Sequence, residues 1–216
     1  MTYDLAAIKH DLVGKKPGLA LDIDDTLSYT WAYWAQELMR IGGNPENLTW
    51  QEVRRKYRRC EDVPYWQTEE IKQWMYEHRG ESDYLHHLEC VVGSRETVPL
   101  VHELYPIRLY LTARTDTSLA TTRAWLDRHG FPNVPIVSRP VDVAHSSSYE
   151  WKSSILQALH PSIIGIVDDD AKLAEHISPD YPGTIYLIGE ETYPREDVHI
   201  VHCPNWNAVH TALQQR

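Results

Sequence analysis

Phenylalanine is nearly absent from this chain, which carries 1 Phe against 8 Trp and 13 Tyr. Its aromatic surface is therefore built from rings with a polar handle, a composition that suits half-wet clefts and interfaces as well as a lineage bias. Cysteine is scarce too. Cys60, Cys90 and Cys203 are odd in number and far apart, and no Cys-x-x-Cys occurs. That excludes a disulfide framework and a zinc knuckle, and it makes a reducing, cytoplasmic compartment the expectation. No apolar run approaches a signal peptide or a membrane span, so no membrane partner is expected. Basic residues are in deficit, 21 Lys and Arg against 31 Asp and Glu, for a formal net charge of −10. A binder of nucleic-acid polymers, whose affinity rests on basic surface, is thereby disfavoured. What remains, at 216 residues, is a globular chain with room for one substantial core, or a core and a smaller appended unit.

Hydrophobic periodicity divides the chain into two kinds of segment. Residues 3–13 read as a short helix with Leu5, Ile8 and Leu12 on one face. Lys15-Lys16-Pro17-Gly18 is a turn, and Leu19-Ala20-Leu21 is an apolar run suited to a strand buried on both faces. Beyond Leu27 the pattern is helical: Ser28 is the expected N-cap of a helix that ends at Gly42-Gly43, and residues 49–60, 66–79 and 82–91 read as further helices. From Gly93 onward strands and helices alternate. Strands are expected at 107–111, 134–137, 163–167, 184–188 and 198–202, and helices at 95–104, 117–129, 151–159, 171–177 and 205–214. This alternation predicts an α/β fold, a Rossmann-like parallel sheet with helices on both faces. The expected division is a core of residues 1–27 and 93–216 with an all-helical cap of residues 28–92 inserted after the first strand.

Polar groups recur at the ends of these apolar elements. Asp22 and Asp24 close the first strand, Thr112 follows the second, Lys152 stands at an expected helix start, and Asp168 and Asp169 follow Ile163–Val167. In a parallel sheet all strand C-termini lie along one edge, where open α/β sheets bind ligands. Carboxylates converging there suit a hard divalent cation such as Mg²⁺. A hydroxyl and an ammonium suit phosphoryl oxygens, and one carboxylate is left to attack phosphorus.

In these residues the chain resembles the haloacid dehalogenase (HAD) superfamily. The four motifs are Asp22-Ile23-Asp24-Asp25-Thr26, Thr112 in Leu109-Tyr110-Leu111-Thr112-Ala113-Arg114, Lys152 in Glu150-Trp151-Lys152-Ser153, and the pair Asp168-Asp169. They stand in the family's order across about residues 17–190, and the helical segment falls where the family inserts its caps. The resemblance implies Asp22 as nucleophile through an aspartyl-phosphate and Asp24 as general acid and base. It implies Thr112, Ala113 and Lys152 as phosphate-binding residues. It implies Mg²⁺ held by Asp22, the Asp24 backbone carbonyl and the last acidic pair, with Asp169 favoured over Asp168. The implied activity is hydrolysis of a small phosphorylated metabolite. Thr-Ala-Arg and the double Asp favour a nucleoside 5′-monophosphate; sugar-phosphate hydrolysis and mutase-type transfer are the alternatives. Because Asp24 is present, carbon–halogen chemistry is disfavoured. A catalytically inactive binding or regulatory module is the reading from another class.

Each residue also has a plainer reading. Alone, Thr112 could cap the following helix and Lys152 could be a surface lysine. Asp170 fits an N-cap, while Asp25 and Arg114 fit local structural roles. The basic run Arg54-Arg55-Lys56-Tyr57-Arg58-Arg59 reads as a solvated helix face balanced by Glu61, Asp62, Glu69 and Glu70, or as one arginine hanging over the cleft to grip an anion. Trp31 and Trp34 read as cap core, and His199, His202 and Cys203 as incidental residues of a last strand.

Overall fold

A computed structural model describes residues 4–57, 59–79, 83–190 and 192–216. The expectations that fall on Tyr3, Arg58, Gly80 and Ser82 lie outside these residues. Helix α1 (Leu5–Leu12), capped by the Asp4 carboxylate, leads into β1 (Gly18–Leu21). A helical insertion follows: α2 (Thr30–Gly42), α3 (Trp50–Tyr57) and α4 (Glu69–Arg79), with 3-10 turns at Cys60–Asp62, Pro64–Trp66 and Asp83–His87. The remainder alternates as α5 (Ser94–Leu104), β2 (Ile107–Thr115), α6 (Leu119–Arg128), β3 (Ile136–Arg139), α7 (Ser148–Leu159), β4 (Ile163–Asp168), α8 (Ala171–His176), β5 (Thr184–Ile188), β6 (His199–Cys203) and α9 (Trp206–Gln214).

The six strands form one parallel sheet in the order β3-β2-β1-β4-β5-β6. Strand order reverses beside β1, so the chain leaves β1 toward β2 on one side and meets β4 on the other. Such a switch point opens a crevice outside the strand C-termini. The short run Leu19-Ala20-Leu21 is wholly apolar because both faces are covered. Leu19 and Leu21 pack with Val98, Trp125 and Trp206 on one face, and Ala20 packs with Leu156, Leu159 and Leu173 on the other. At the start of β1 the backbone of Pro106 passes so close that a Cβ on Gly18 would lie 1.9 Å from its carbonyl oxygen. The insertion has its own core of Ala35, Leu38, Val53, Val63, Trp66, Ile71 and Met75, with Trp31 and Trp34 packed against it. Its two connections to the sheet run side by side, joined by a bridge between Ser28 and Cys90.

Several local expectations are corrected. Ser28 does not cap α2: its hydroxyl donates to the Ile23 carbonyl, and the residue before the helix, Tyr29, makes no side-chain cap bond. In place of a helix at 82–91 stands the short 3-10 turn at Asp83–His87. Lys152 is not at a helix start, because α7 begins at Ser148 and places Lys152 in its second turn. Asp170 is an N-cap, its carboxylate accepting from the Lys172 amide. His199, His202 and Cys203 lie on the edge strand β6. Among the described residues no helix is long and apolar enough to cross a membrane.

Candidate active site

The end of β1 turns sharply. The Leu27 and Ser28 amides both donate to the Ile23 carbonyl, and the Asp25 amide donates back to the Ser28 carbonyl at 2.7 Å. This reversal puts Asp25 at φ 57°, a left-handed conformation that Asp tolerates better than most residues. The indole N–H of Trp206, on α9, donates to the Thr26 carbonyl at 2.9 Å and pins the loop from below. Asp22 and Asp24 thereby stand at the crevice between β1, β2 and β4.

Two buried cations divide the acids between them. The Lys152 ammonium, 4 % exposed, donates to Asp22 Oδ1 at 2.6 Å and to Asp168 Oδ2 at 2.8 Å. Its own titration moves upward: burial opposes the charge, but Asp168 and Asp22 more than offset that. Arg114 forks onto Asp24, with Nη2 donating to Oδ1 at 2.8 Å and Nε to both oxygens at 3.1 and 3.2 Å. Thr30 donates to Asp24 Oδ1 at 2.6 Å and Thr112 to Oδ2 at 3.4 Å. Burial would raise the Asp24 carboxyl, yet Arg114 and Thr30 hold it below the usual carboxylate range. Asp22 is the opposite case. Burial, with Asp168 and Asp24 nearby, pushes it well up despite Lys152.

The two acids after β4 differ in what they meet. Asp168 is fully buried, and both oxygens are taken, Oδ2 by Lys152 and Oδ1 by the Asp170 amide at 3.0 Å. Asp169 is partly exposed, accepts from the Thr26 hydroxyl at 3.2 Å and meets Arg54 of α3 at 3.0 Å. Carboxylate oxygens of Asp22, Asp168 and Asp169 lie within 4.8 Å of one another. Burial raises the Asp169 carboxyl well above its usual range, and Asp25 beside it, pushed up to about 6, adds to the crowding. An all-carboxylate donor set with excess negative charge fits a hard divalent cation such as Mg²⁺.

The residues implied as catalytic, phosphate-binding or metal-binding, Asp22, Asp24, Thr112, Ala113, Lys152, Asp168 and Asp169, lie on β1, β2, β4 and α7 or directly after those strands. Thr112 lies within β2 rather than capping a helix. The β2–β3 register slips between Thr112 and Thr115, and the extra residues carry Arg114 toward Asp24. Arg114 reaches Asp24 across 90 residues of sequence and also donates to Thr122 and Ser28, contacts that only the sheet's geometry shows. The basic run also differs from its expected balance. Arg54 meets Asp169 and Asp25, Arg55 meets Glu190 at 3.6 Å, and Lys56 pairs with Glu46. Tyr84 was not marked by any motif. Its phenol, raised to about 12 by burial and by the Asp24 charge, stacks on Tyr33 with ring centroids 5.2 Å apart.

Comparison with known proteins agrees with this topology. A Thermotoga maritima protein described as a candidate beta-phosphoglucomutase superposes with a TM-score of 0.56 at 14% identity, covering 93% of this chain and 99% of the other. The chain has a HAD-like fold. A HAD-like family hydrolase from Xanthomonas campestris gives a TM-score of 0.45 at 11% identity, covering 93% of this chain and 96% of the other. Cytosolic 5′-nucleotidase IIIB bound to cytidine gives 0.38 at 19% identity, covering 85% and 76%. At those scores neither bears on function. No protein-family model and no curated protein sequence matches the chain.

Proposed function

We propose that this HAD-like chain is a Mg²⁺-dependent phosphohydrolase acting on a small phosphorylated metabolite through an aspartyl-phosphate. The observation that carries this reading is the Lys152 ammonium wedged between Asp22 and Asp168, with Asp169 and Thr112 beside them, at the switch point of the sheet. Asp22, Asp169 and the Asp24 backbone carbonyl would hold the cation. Asp168, with both oxygens engaged, would anchor Lys152 instead. The cation would supply charge neutralisation where an anionic nucleophile meets an anionic phosphate.

The chain's own groups account for the rest of the chemistry. Lys152 holds Asp22 Oδ1, so Oδ2 is the oxygen presented to phosphorus. As the Oδ2–P bond forms, the ester P–O bond breaks and the leaving oxygen takes a proton that the substrate's phosphate monoanion brings in and Asp24 relays. Water then attacks phosphorus, Asp24 takes the water proton, and the Asp22–phosphate bond breaks to release inorganic phosphate. The Arg114 fork keeps Asp24 in the carboxylate form suited to the second step. Lys152, the Thr112 hydroxyl and the Ala113 amide would bind the transferring phosphoryl oxygens. Among substrates, a nucleoside 5′-monophosphate is favoured, because Thr112-Ala113-Arg114 and the double Asp resemble nucleotidase-type motifs and aromatic rings of the insertion could stack a base. Transfer within a sugar phosphate, the activity named for the T. maritima neighbour, is the alternative. The substrate would be a small molecule, with no nucleic-acid polymer or membrane as partner, in the cytoplasm.

A panel of nucleotides, sugar phosphates, polyol phosphates and aryl phosphates, with and without Mg²⁺, tests the proposal. Release of phosphate above an Asp22→Asn control is expected for at least one class. Absence of turnover above that control would favour an inactive binding module.

A further inference from the structure

Asp169 takes its counter-charge from a different part of the molecule than its neighbours do. Lys152 serves Asp22 and Asp168 from within the core, whereas the guanidinium at Asp169 belongs to α3 of the helical insertion. Arg54 places Nη2 3.0 Å from Asp169 Oδ2 and Nη1 3.5 Å from Asp25 Oδ1. It spans 115 residues of sequence to do so. The next residue, Arg55, reaches Glu190 in the loop after β5, so two consecutive arginines fasten α3 to the sheet edge. Asp169 is also the acid best placed to bind a divalent cation, since its partners are a hydroxyl and a movable side chain.

We propose that Arg54 and a divalent cation compete for Asp169, so that cation occupancy loosens the docking of α3 onto the core. This rests on the cation site proposed above and concerns what governs its filling. A guanidinium on Oδ2 occupies one of the carboxylate's acceptor directions and places a positive charge where the incoming cation needs a negative one. Once the cation is bound, like charges drive Arg54 off Asp169. The α3 end of the insertion then loses its shortest ion pair to the core and leans on Arg55–Glu190, a pair exposed to solvent, while α2 keeps its bonds from Thr30 to Asp24 and from the Trp31 amide to Asp25.

Calorimetric titration of the full chain with Mg²⁺, in place of an activity assay, reads the competition directly. Arg54→Gln removes the competing charge, and its Mg²⁺ dissociation constant is expected to fall about tenfold, the effect of about 1.4 kcal/mol. Arg54→Lys keeps the charge and stays near wild type, and Arg55→Gln changes affinity by less than about twofold. Hydrogen exchange supplies a second readout. On adding Mg²⁺, amides of Trp50–Tyr57 exchange faster in wild type and are unchanged in Arg54→Gln. Equal or weaker Mg²⁺ binding by Arg54→Gln would overturn the competition while leaving the hydrolase reading intact. No Mg²⁺ binding by any of the four proteins would overturn both.

Discussion

Replacing Lys152 by Met tests the electrostatics of the site most sharply. The substitution keeps the length of the side chain in a buried position, so packing changes little and charge dominates. It strips Asp22 Oδ1 and Asp168 Oδ2 of a shared donor that sits 2.6 and 2.8 Å away. Carboxylate oxygens of these two residues lie within 4.8 Å of each other. At an effective dielectric of about 20, two unit charges at that separation repel by about 3.5 kcal/mol. Removing one partner of a buried pair costs about 3–5 kcal/mol, which agrees. For a chain of this size each kcal/mol lowers the melting temperature by about 2–4 °C, so a fall of about 6–20 °C at pH 8 is expected. The deficit has a definite pH dependence. Burial already raises both carboxyls, so the folded state holds their protons more tightly than the unfolded state. That contribution is present at low pH and is lost as pH rises through the folded values. The gap between variant and wild type therefore narrows as pH falls from 8 toward 5. Thermal melts across that range, without Mg²⁺, are the assay. A variant that melts within 2 °C of wild type at pH 8 would refute the charge argument.

Other perturbations follow from the same contacts. Asp24→Asn leaves Arg114 a weaker acceptor and removes the proposed proton relay, so turnover of alkyl phosphates should fall at least tenfold more than that of activated aryl phosphates. Equal losses for the two ester types would remove the acid role. Gly18→Ala drives a Cβ to 1.9 Å from the Pro106 carbonyl oxygen, where no flexible side chain can yield. It should cost at least about 1–3 kcal/mol in a denaturant titration, and an unchanged midpoint would show that the β1–β2 approach is looser than described.

The strands were legible where a single physical signal sufficed. Leu19-Ala20-Leu21 and Ile163–Val167 are apolar without alternation because each is covered on both faces, and each runs into acid at the crevice. Asp22, Asp24 and Asp168 could be marked for that reason alone. Signals failed where three dimensions decide. Arg114 matters because β2 slips register after Thr112, and nothing in Thr-Ala-Arg announces a slip. Arg54 is one of several arginines in a row, and choosing among them requires the direction in which α3 faces. Residues 82–91 read as a helix, yet their described part holds a short 3-10 turn at Asp83–His87 that brings Tyr84 against Tyr33, followed by an extended stretch. The start of α7 lies ahead of its expected position because the polar run His145–Ser148 carries no hydrophobic period. Lys152 consequently sits deeper in its helix than expected.

In the proposed mechanism Asp22 carries the phosphoryl group between two displacements. Its most direct test is acid quenching of the protein during turnover of a phosphate-labelled substrate, followed by peptide mapping. Label is expected on the peptide containing Asp22, lost on treatment with hydroxylamine and absent from Asp22→Asn. Turnover of that substrate with no label at Asp22, or at an unchanged rate in Asp22→Asn, would contradict it.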